Sequence, residues 1–599
     1  MTFKSKSVRI MAGLAIAAAL SMSLDTRLVA GPGRGGDPTE PDSIVRHVLL
    51  ISIDGMHALD FDNCVAAGTC PHLAKLGETG VTYTRTSSAR PSDSFPGLMA
   101  LVTGGTPKTV GAFYDVAYDR VLAAPAIDTG NGLPGTGAGG CVVGHAAGTE
   151  TEYEEGVEIN QHAVNGGGPY GMFDGGVRSI DPRKLPRDPF DRCKPVFPWN
   201  FIRTNTIYGV IHAAGGYTAW SDKHPVYATV SGPTGTSVPS NIDDFYAPEV
   251  NADIVPIPGF HTVSGDDCSS IPHAAGDDWT TGFDAIRCYD QLKVNAVVNE
   301  INGKTHLGAS RAPVPTILGM NFQAVSVGQK LIKGGVKGGY TDAAGTPTAS
   351  MLGEIKFVDA AIGQMVDALR DRGLLASTAI VITAKHGQSP IDTNRFFPIR
   401  GHAGTNGLPP SAVIGQFLPP VYSDPNNGLG LAEDDISQIW LASADDTAAA
   451  VHLLETTGTA PGSDATAVGL GQIFFGPSIT TMFNAPGVPR HPGACCSVPE
   501  PGEPDPRTPD IIVIPNVGVV YTGSLKKQAE HGGFAHDDTN VMLLISNPAL
   551  RAKTVTSFVE TMQVAPTILT LLGLDPNSLD AVRMEGTAVL PGLTFERDR

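Results

Sequence analysis

The sequence predicts an α/β fold with a mainly parallel central sheet sandwiched by helices. Three observations lead there. Short continuous apolar runs, the first being His47-Val-Leu-Leu-Ile-Ser-Ile53, suit strands buried on both faces. Such runs alternate with helical patterns along the chain, as expected for parallel strands joined by crossovers. The turns richest in chemically active side chains follow the apolar runs directly, at the edge where open α/β sheets hold ligands.

The elements follow in order. Lys4, Lys6 and Arg9 open the chain, and an apolar stretch, Ile10 to Leu24, follows them. That stretch is shorter than the ~20 residues of a membrane span, and Ala30 closes it before a Gly/Pro-rich segment, so residues 1–30 read as a signal peptide. A mature chain beginning near Gly31, secreted or periplasmic and without a transmembrane segment, is the expectation. Residues 31–45 read as a linker and 46–599 as one domain. Within the domain the pattern predicts a strand over 47–53, a helix near 70–78, a strand near 81–84 and a helix starting at Ser94. Helical patterns at 201–214, 283–302, 351–372 and 559–572 and strands at 217–220, 315–322, 378–383 and 541–546 complete the alternation. Gly/Pro-rich stretches near 121–195, 230–280, 390–435 and 457–508 read as insertions, the usual place for substrate selectivity on a rigid scaffold.

Composition narrows the function classes. The hydrophobic fraction of 41% allows a large core, and the net charge of −19 argues against binding of nucleic-acid duplexes. It does not argue against a small anionic substrate, because a local cation can dominate one site. The eight cysteines of an exported chain favour disulfides. Neighbours in sequence give the pairs Cys64–Cys70, Cys141–Cys193 and Cys268–Cys288, and no Cys/His spacing of a zinc site is present.

Four stations carry candidate chemistry. Asp54 ends the first strand, where a carboxylate can hold a cation; it can equally cap a helix. In Arg90-Pro-Ser-Asp-Ser94-Phe-Pro-Gly97 a hydroxyl stands at a helix start, among free N–H groups that favour a nucleophile attacking phosphorus. Ser92, Asp93 or Ser94 could instead be only the cap. Lys385-His386-Gly387 follows the 378–383 strand, and Glu530-His531-Gly532 precedes the 541–546 strand. Two His-Gly turns at strand edges suggest metal ligands more than one would, because neutral imidazole is a common ligand.

In this order the four stations resemble the alkaline phosphatase superfamily, and within it the nucleotide pyrophosphatase/phosphodiesterase branch. Asp54-Gly resembles the opening metal ligand. Ser94-Phe-Pro resembles the nucleophile segment, with Leu101-Val-Thr-Gly104 continuing it. His386-Gly and His531-Gly resemble later metal ligands, and Gln563-Val-Ala-Pro-Thr-Ile-Leu the closing helix. The resemblance runs over roughly 46–599. It implies an alkaline phosphatase-like fold, with Asp54, Ser94, His386 and His531 around divalent ions, zinc in most members. It also implies a hydroxyl nucleophile that forms a covalent intermediate on a phosphoester substrate. Two ions about 3.5–4 Å apart clamp the attacking and leaving oxygens in such sites.

The sequence departs from the pattern at important places. Lys385 stands where the family has Asp. The family's Asp-x-x-x-His ligand pair aligns with Val325 and Gln329, which are then expected beside His531. Asp115 stands where an Asn helps to bind phosphoryl oxygens. One tightly bound ion per chain or fewer is the expectation. Loss of a divalent ion and an Asp, with gain of a Lys, leaves the formal charge unchanged, and an ammonium can stabilise developing negative charge. Lys385 is therefore expected to point into the same pocket as Ser94. The function that follows is an exported hydrolase of phosphodiester, pyrophosphate or related ester bonds. The alternative is an inactive or binding-only member of the same fold.

Overall fold

The computed structural model describes residues 44–129, 135, 137, 140–167, 175–399, 407–420, 433–458, 469–483, 490–496, 505–522 and 524–595. The expected signal peptide, nearly all of the expected linker, and parts of the expected insertions lie outside them. A nine-stranded sheet organises the described chain. Its strands are β1 (His47–Ile53), β2 (Gly80–Ser87), β3 (Ala219–Ser221), β4 (Asp244–Tyr246), β5 (Ile317–Phe322), β6 (Thr378–Thr383), β7 (Asn540–Ser546), β8 (Lys553–Val555) and β9 (Val559–Glu560). The order is β8-β2-β7-β6-β1-β5-β3-β4, with β9 also on β2. Strand β7 runs antiparallel to both neighbours, and the other pairs are parallel.

Strand β1 shows why the apolar runs are continuous. Leu49, Ile51 and Ile53 join one core cluster, and Val48 and Leu50 join the cluster on the opposite face. A strand with helices on both sides has no polar face to display. Helices α1 (Ala58–Ala66), α2 (Pro71–Glu78), α4 (Phe283–Ile301), α5 (Ala324–Lys330) and α6 (Ala349–Asp371) cover the first face. Helices α3 (Ser94–Thr103) and α7 (Val564–Leu571) cover the second.

Two helical readings need correction. Within 201–214 only Ile207–Ala213 is a helix of that pattern's register, because the Thr206 hydroxyl caps it by accepting from Gly209 N at 3.3 Å. The 559–572 pattern also begins too early. Thr86 and Ser87 of β2 pair with Val559 and Glu560, so those residues extend the sheet before the chain turns into α7. The apolar period could not report that edge pairing.

In and beside the last insertion, Ser437–Ile439, Gln472–Phe475 and Ile511–Ile514 form a separate antiparallel sheet. Three disulfides join the cysteines paired above, and Cys495–Cys496 forms a fourth. Among the described residues no helix is long and apolar enough to cross a membrane.

Candidate active site

The chain places Asp54, Ser94, Lys385 and His386 together at the carboxyl edge of β1 and β6. Asp54 follows β1, and Lys385-His386 follows β6, the parallel neighbour. Ser94 is the first residue of α3. The cap is Asp93, whose carboxylate accepts from Phe95 N at 3.1 Å, so the Ser94 hydroxyl is left for other partners. Gly97 lets the first turn of α3 approach closely: a Cβ there would collide with the Lys385 carbonyl.

Ser94 Oγ lies 3.2 Å from His386 Nε2 and receives a hydrogen bond from Lys223 Nζ at 3.0 Å. His386 Nδ1 lies 2.9 Å from the Gly387 carbonyl, which can only accept. That contact places the imidazole proton on Nδ1 and leaves the Nε2 lone pair facing Ser94. Burial lowers the His386 pKa below its ordinary value although Asp54 opposes the shift. The neutral ring is therefore the resident form at neutral pH. The hydrogen bonds run in one direction, from ammonium to hydroxyl to imidazole to backbone carbonyl.

Asp54 supports this chain from behind. Its Oδ2 accepts from Gln323 Nε2 at 2.6 Å and Asn321 Nδ2 at 3.1 Å, and lies 3.5 Å from Lys385 Nζ and 3.6 Å from His386 Nε2. Burial alone would raise its pKa. Lys385, His386 and Lys223 outweigh burial and hold Asp54 well below the usual carboxylate range. Lys385 does point into this site, with its ammonium on two carboxylates rather than on the Ser94 hydroxyl. Its Nζ lies 3.5 Å from both Asp54 and Asp222 and 4.3 Å from the Tyr227 ring centroid. The ammonium on the nucleophile is that of Lys223, in the Asp222-Lys223-His224 segment after β3. Sequence reading missed it, although a polar residue at the carboxyl end of an apolar strand was the signal that found Asp54.

His531 joins the same centre by its ring, 4.2 Å from that of His386 centroid to centroid. Its Nδ1 lies 3.3 Å from Asp93 Oδ1. Burial, followed by Lys330, His386, Lys223 and Lys527, pushes its pKa well below that of an ordinary histidine. Gly532, with φ of 98°, makes the turn after it, and a Cβ there would strike the Tyr114 hydroxyl.

Val325 and Gln329, the expected place of the lost ligand pair, do not line the cavity that His531 lines. Asp290 Oδ2 accepts from the N–H groups of Gln323 and Ala324 at 2.8 Å each, which fixes the start of α5. From that start Gln323, Ser326, Val327 and Lys330 face the cavity lined by His531. Val325 is buried in the apolar core, and Gln329 Nε2 donates to the Gly55 carbonyl at 2.8 Å and the Tyr340 hydroxyl at 2.7 Å. The cavity-facing positions four residues apart are therefore Gln323 with Val327 and Ser326 with Lys330, and neither pair is the Asp and His of the family's site.

The cavity has a volume of about 460 Å³ and opens over Lys223, His531, Asp115, Tyr114, Asp434 and Lys330. Ser94 is fully buried just behind Lys223. Asp115 accepts from Val116 N at 2.7 Å, and its own N–H donates to Asp93 Oδ2 at 3.1 Å. Tyr114 donates to Asp434 at 3.0 Å. Burial and Glu530 raise Asp434 to about 7, against Lys527, Lys330 and the Tyr114 hydrogen bond.

The donor set does not fit the family's zinc pair. An ion bound by Asp54, Ser94 and His386 would sit about 2 Å from each donor. Two ammonium groups already occupy that space, at 3.0 Å from Ser94 Oγ and 3.5 Å from Asp54 Oδ2. The second position keeps one imidazole, His531. Among the described residues the one convergence of three acidic or imidazole donors lies elsewhere, at Glu158, His224 and Glu249.

Comparisons with known proteins bear on the family of the chain. The family model described as type I phosphodiesterase/nucleotide pyrophosphatase matches residues 48–169 and 338–537, more than half of the chain. Murine ectonucleotide pyrophosphatase/phosphodiesterase 5 is 12% identical, with a TM-score of 0.48, over 88% of this chain and 96% of that one. An inactive variant of the murine protein in complex with AMP matches at 12% identity and 0.48, over 89% and 96%. The human protein of the same name matches at 12% and 0.47, over 88% and 95%. No curated protein matches.

Proposed function

Because the chain belongs to the type I phosphodiesterase/nucleotide pyrophosphatase family, we propose that it is an exported phosphodiester hydrolase whose nucleophile is served by lysine rather than by zinc. Members of the family are typically metal-dependent, and the four disulfides support the exported location. The observation that carries the reading is Ser94 Oγ between Lys223 Nζ at 3.0 Å and His386 Nε2 at 3.2 Å.

The chemistry follows from those atoms. His386 Nε2 takes the hydroxyl proton as Ser94 Oγ attacks phosphorus. The P–O bond to the leaving alcohol breaks, and the alcohol takes a proton from solvent in the cavity. Lys223 loosens from Oγ and holds the phosphoryl oxygens as negative charge builds on them. His386 releases that proton to solvent in the cavity, then accepts one from the water that attacks the phosphoryl group on Ser94, and returns it to Ser94 Oγ as the P–Oγ bond breaks. Lys385 acts one step back: it keeps Asp54 ionised, and Asp54 faces the imidazole that becomes positive. It is a positioning residue in this scheme, and Asp115 sits at the rim where a phosphoester enters.

Purified protein should hydrolyse bis(p-nitrophenyl) phosphate, and acid quench during turnover should trap a nitrophenyl phosphoryl group on Ser94. Added zinc should not raise the rate. Absence of turnover and of label, with phosphoester binding retained, would reject the hydrolase reading in favour of a binding-only protein.

A further inference from the structure

One group of buried donors has no part in the chemistry above. Glu158, His224 and Glu249 each bring one ligand atom within 4.8 Å of the others. Their relative exposures are 0%, 1% and 1%, so solvent does not stabilise their charge. His224 Nδ1 lies 2.9 Å from each oxygen of Glu249. Both carboxylate oxygens of Glu158 are buried, and the side chain they face most closely is another acid, Glu249. Among the described residues no lysine or arginine forms an ion pair with Glu158. Lys184 acts on it at longer range while its Nζ donates to the Thr129 carbonyl at 2.8 Å.

Two carboxylates buried together repel unless a proton or a cation comes between them. The imidazole favours the cation. A shared proton needs only the two acids, whereas two oxygens and one nitrogen converging on a point form a donor set suited to a borderline divalent ion. A doubly charged ion would neutralise both carboxylates and leave His224 neutral. His224 also lines the cavity, which gives the ion a path of entry.

We propose that Glu158, His224 and Glu249 bind one divalent cation of the zinc or manganese class at a structural site separate from the reacting atoms. Its effect would fall on Lys223. Glu158 belongs to the first insertion, Glu249 follows β4, and His224 is the next residue after Lys223. The Lys223 carbonyl already accepts from Val250 N at 3.1 Å and Tyr289 Oη at 3.3 Å. An ion at this point would join those three segments and hold the Lys223 ammonium on Ser94.

The test is elemental analysis of the full chain after gel filtration, with the thermal midpoint measured with and without zinc or manganese chloride. Wild type should retain about one equivalent of metal, or take it up with a rise in midpoint. Glu158→Gln, close in shape but uncharged, should lose both. Metal-free wild type whose midpoint neither salt raises would overturn the proposal and leave a proton-sharing pair. Equal retention by Glu158→Gln would also overturn it. Should that variant fail to fold, anomalous diffraction from wild-type crystals decides: the proposal requires a peak among Glu158, His224 and Glu249. A peak against Asp54 and Ser94 alone would sink it, and would also sink the zinc-free reading of the nucleophile. The first two outcomes leave that reading untouched.

Discussion

Two buried centres in this chain pair carboxylates with an imidazole, and they treat charge in opposite ways. At the nucleophile, Asp54 and Asp222 share Lys385, and Lys223 stands on Ser94. Asp54 is held well below the usual carboxylate range there, because the cations outweigh burial. At the second centre burial, reinforced by Glu249, pushes the Glu158 carboxyl well above that range. The difference lies in the supply of cation, not in depth, since all these groups are buried. Where the family would place metal, the chain has built ammonium groups. Where the family pattern offers no guide, it has built a set of donors that calls for a cation.

The most severe break of the first centre is Ser94→Ala. If Ser94 is the nucleophile, turnover of a chromogenic phosphodiester should fall on the order of 10⁴-fold or more. The thermal midpoint should hardly move, since Asp93 and not Ser94 caps α3. Turnover that survives would remove Ser94 from the reaction. Next is Lys223→Met, which keeps the aliphatic stem and deletes the charge. Loss of one preorganised donor to the phosphoryl oxygens costs on the order of 10²–10³ in kcat. Excess zinc should not restore the rate; restoration would show that the ammonium merely occupies a metal site.

The strand ends were legible in the sequence because burial on both faces demands unbroken apolar runs, and those runs point to Asp54 and His386. The cap at Asp93 and the free hydroxyl at Ser94 were readable as alternatives, and geometry chose between them. The cavity-facing residues of α5 were not readable by eye. The side chain of Asp290, some thirty residues earlier, sets where that helix starts, and so which pair faces His531. Lys223 was hidden for a similar reason. The short strand itself was legible at 217–220, but what brings the turn after it to Ser94 is pairing with β5 at Met320, which no local pattern reports. The Glu158 cluster joins three loops, and nothing local in any of them signals the other two.

Lys385 sharpens the comparison by turning the first centre into something like the second. Lys385→Met leaves Asp54 and Asp222 facing each other with less cation between them. Deleting one partner of a buried ion pair costs about 3–5 kcal/mol, so denaturant midpoints should drop accordingly. The pKa of Asp54 should rise, and with it the chance of metal uptake. Lys385→Asp, assayed with added zinc, separates two origins. Gain of zinc and of activity would mean that the lysine occludes an ancestral ion site. Loss of activity that zinc leaves unchanged would mean that the ammonium is part of the working charge balance. An unchanged midpoint in Lys385→Met would contradict the ion-pair geometry itself.

The smallest expected effect is a pH dependence at the cavity wall. Asp434 titrates at about 7 because burial and the nearby Glu530 disfavour its charge, while Lys527, Lys330 and the Tyr114 hydrogen bond oppose them. Below that pH the group is neutral; above it the cavity gains a negative charge facing an anionic substrate. KM for a phosphodiester should therefore rise about two- to fivefold between about pH 6 and pH 8, the size of a partly screened charge pair. Asp434→Asn should flatten that rise and leave the acid limb of kcat, which belongs to His386, in place. The sign for stability is fixed by the same shift. The folded pKa lies above the ordinary carboxylate value of about 4, so the contribution is full below that value and is lost as pH rises through 7. At about pH 8 the Asn variant should thus melt no lower than wild type. A KM that stays level in wild type, or that rises equally in Asp434→Asn, would show that the substrate does not approach this wall.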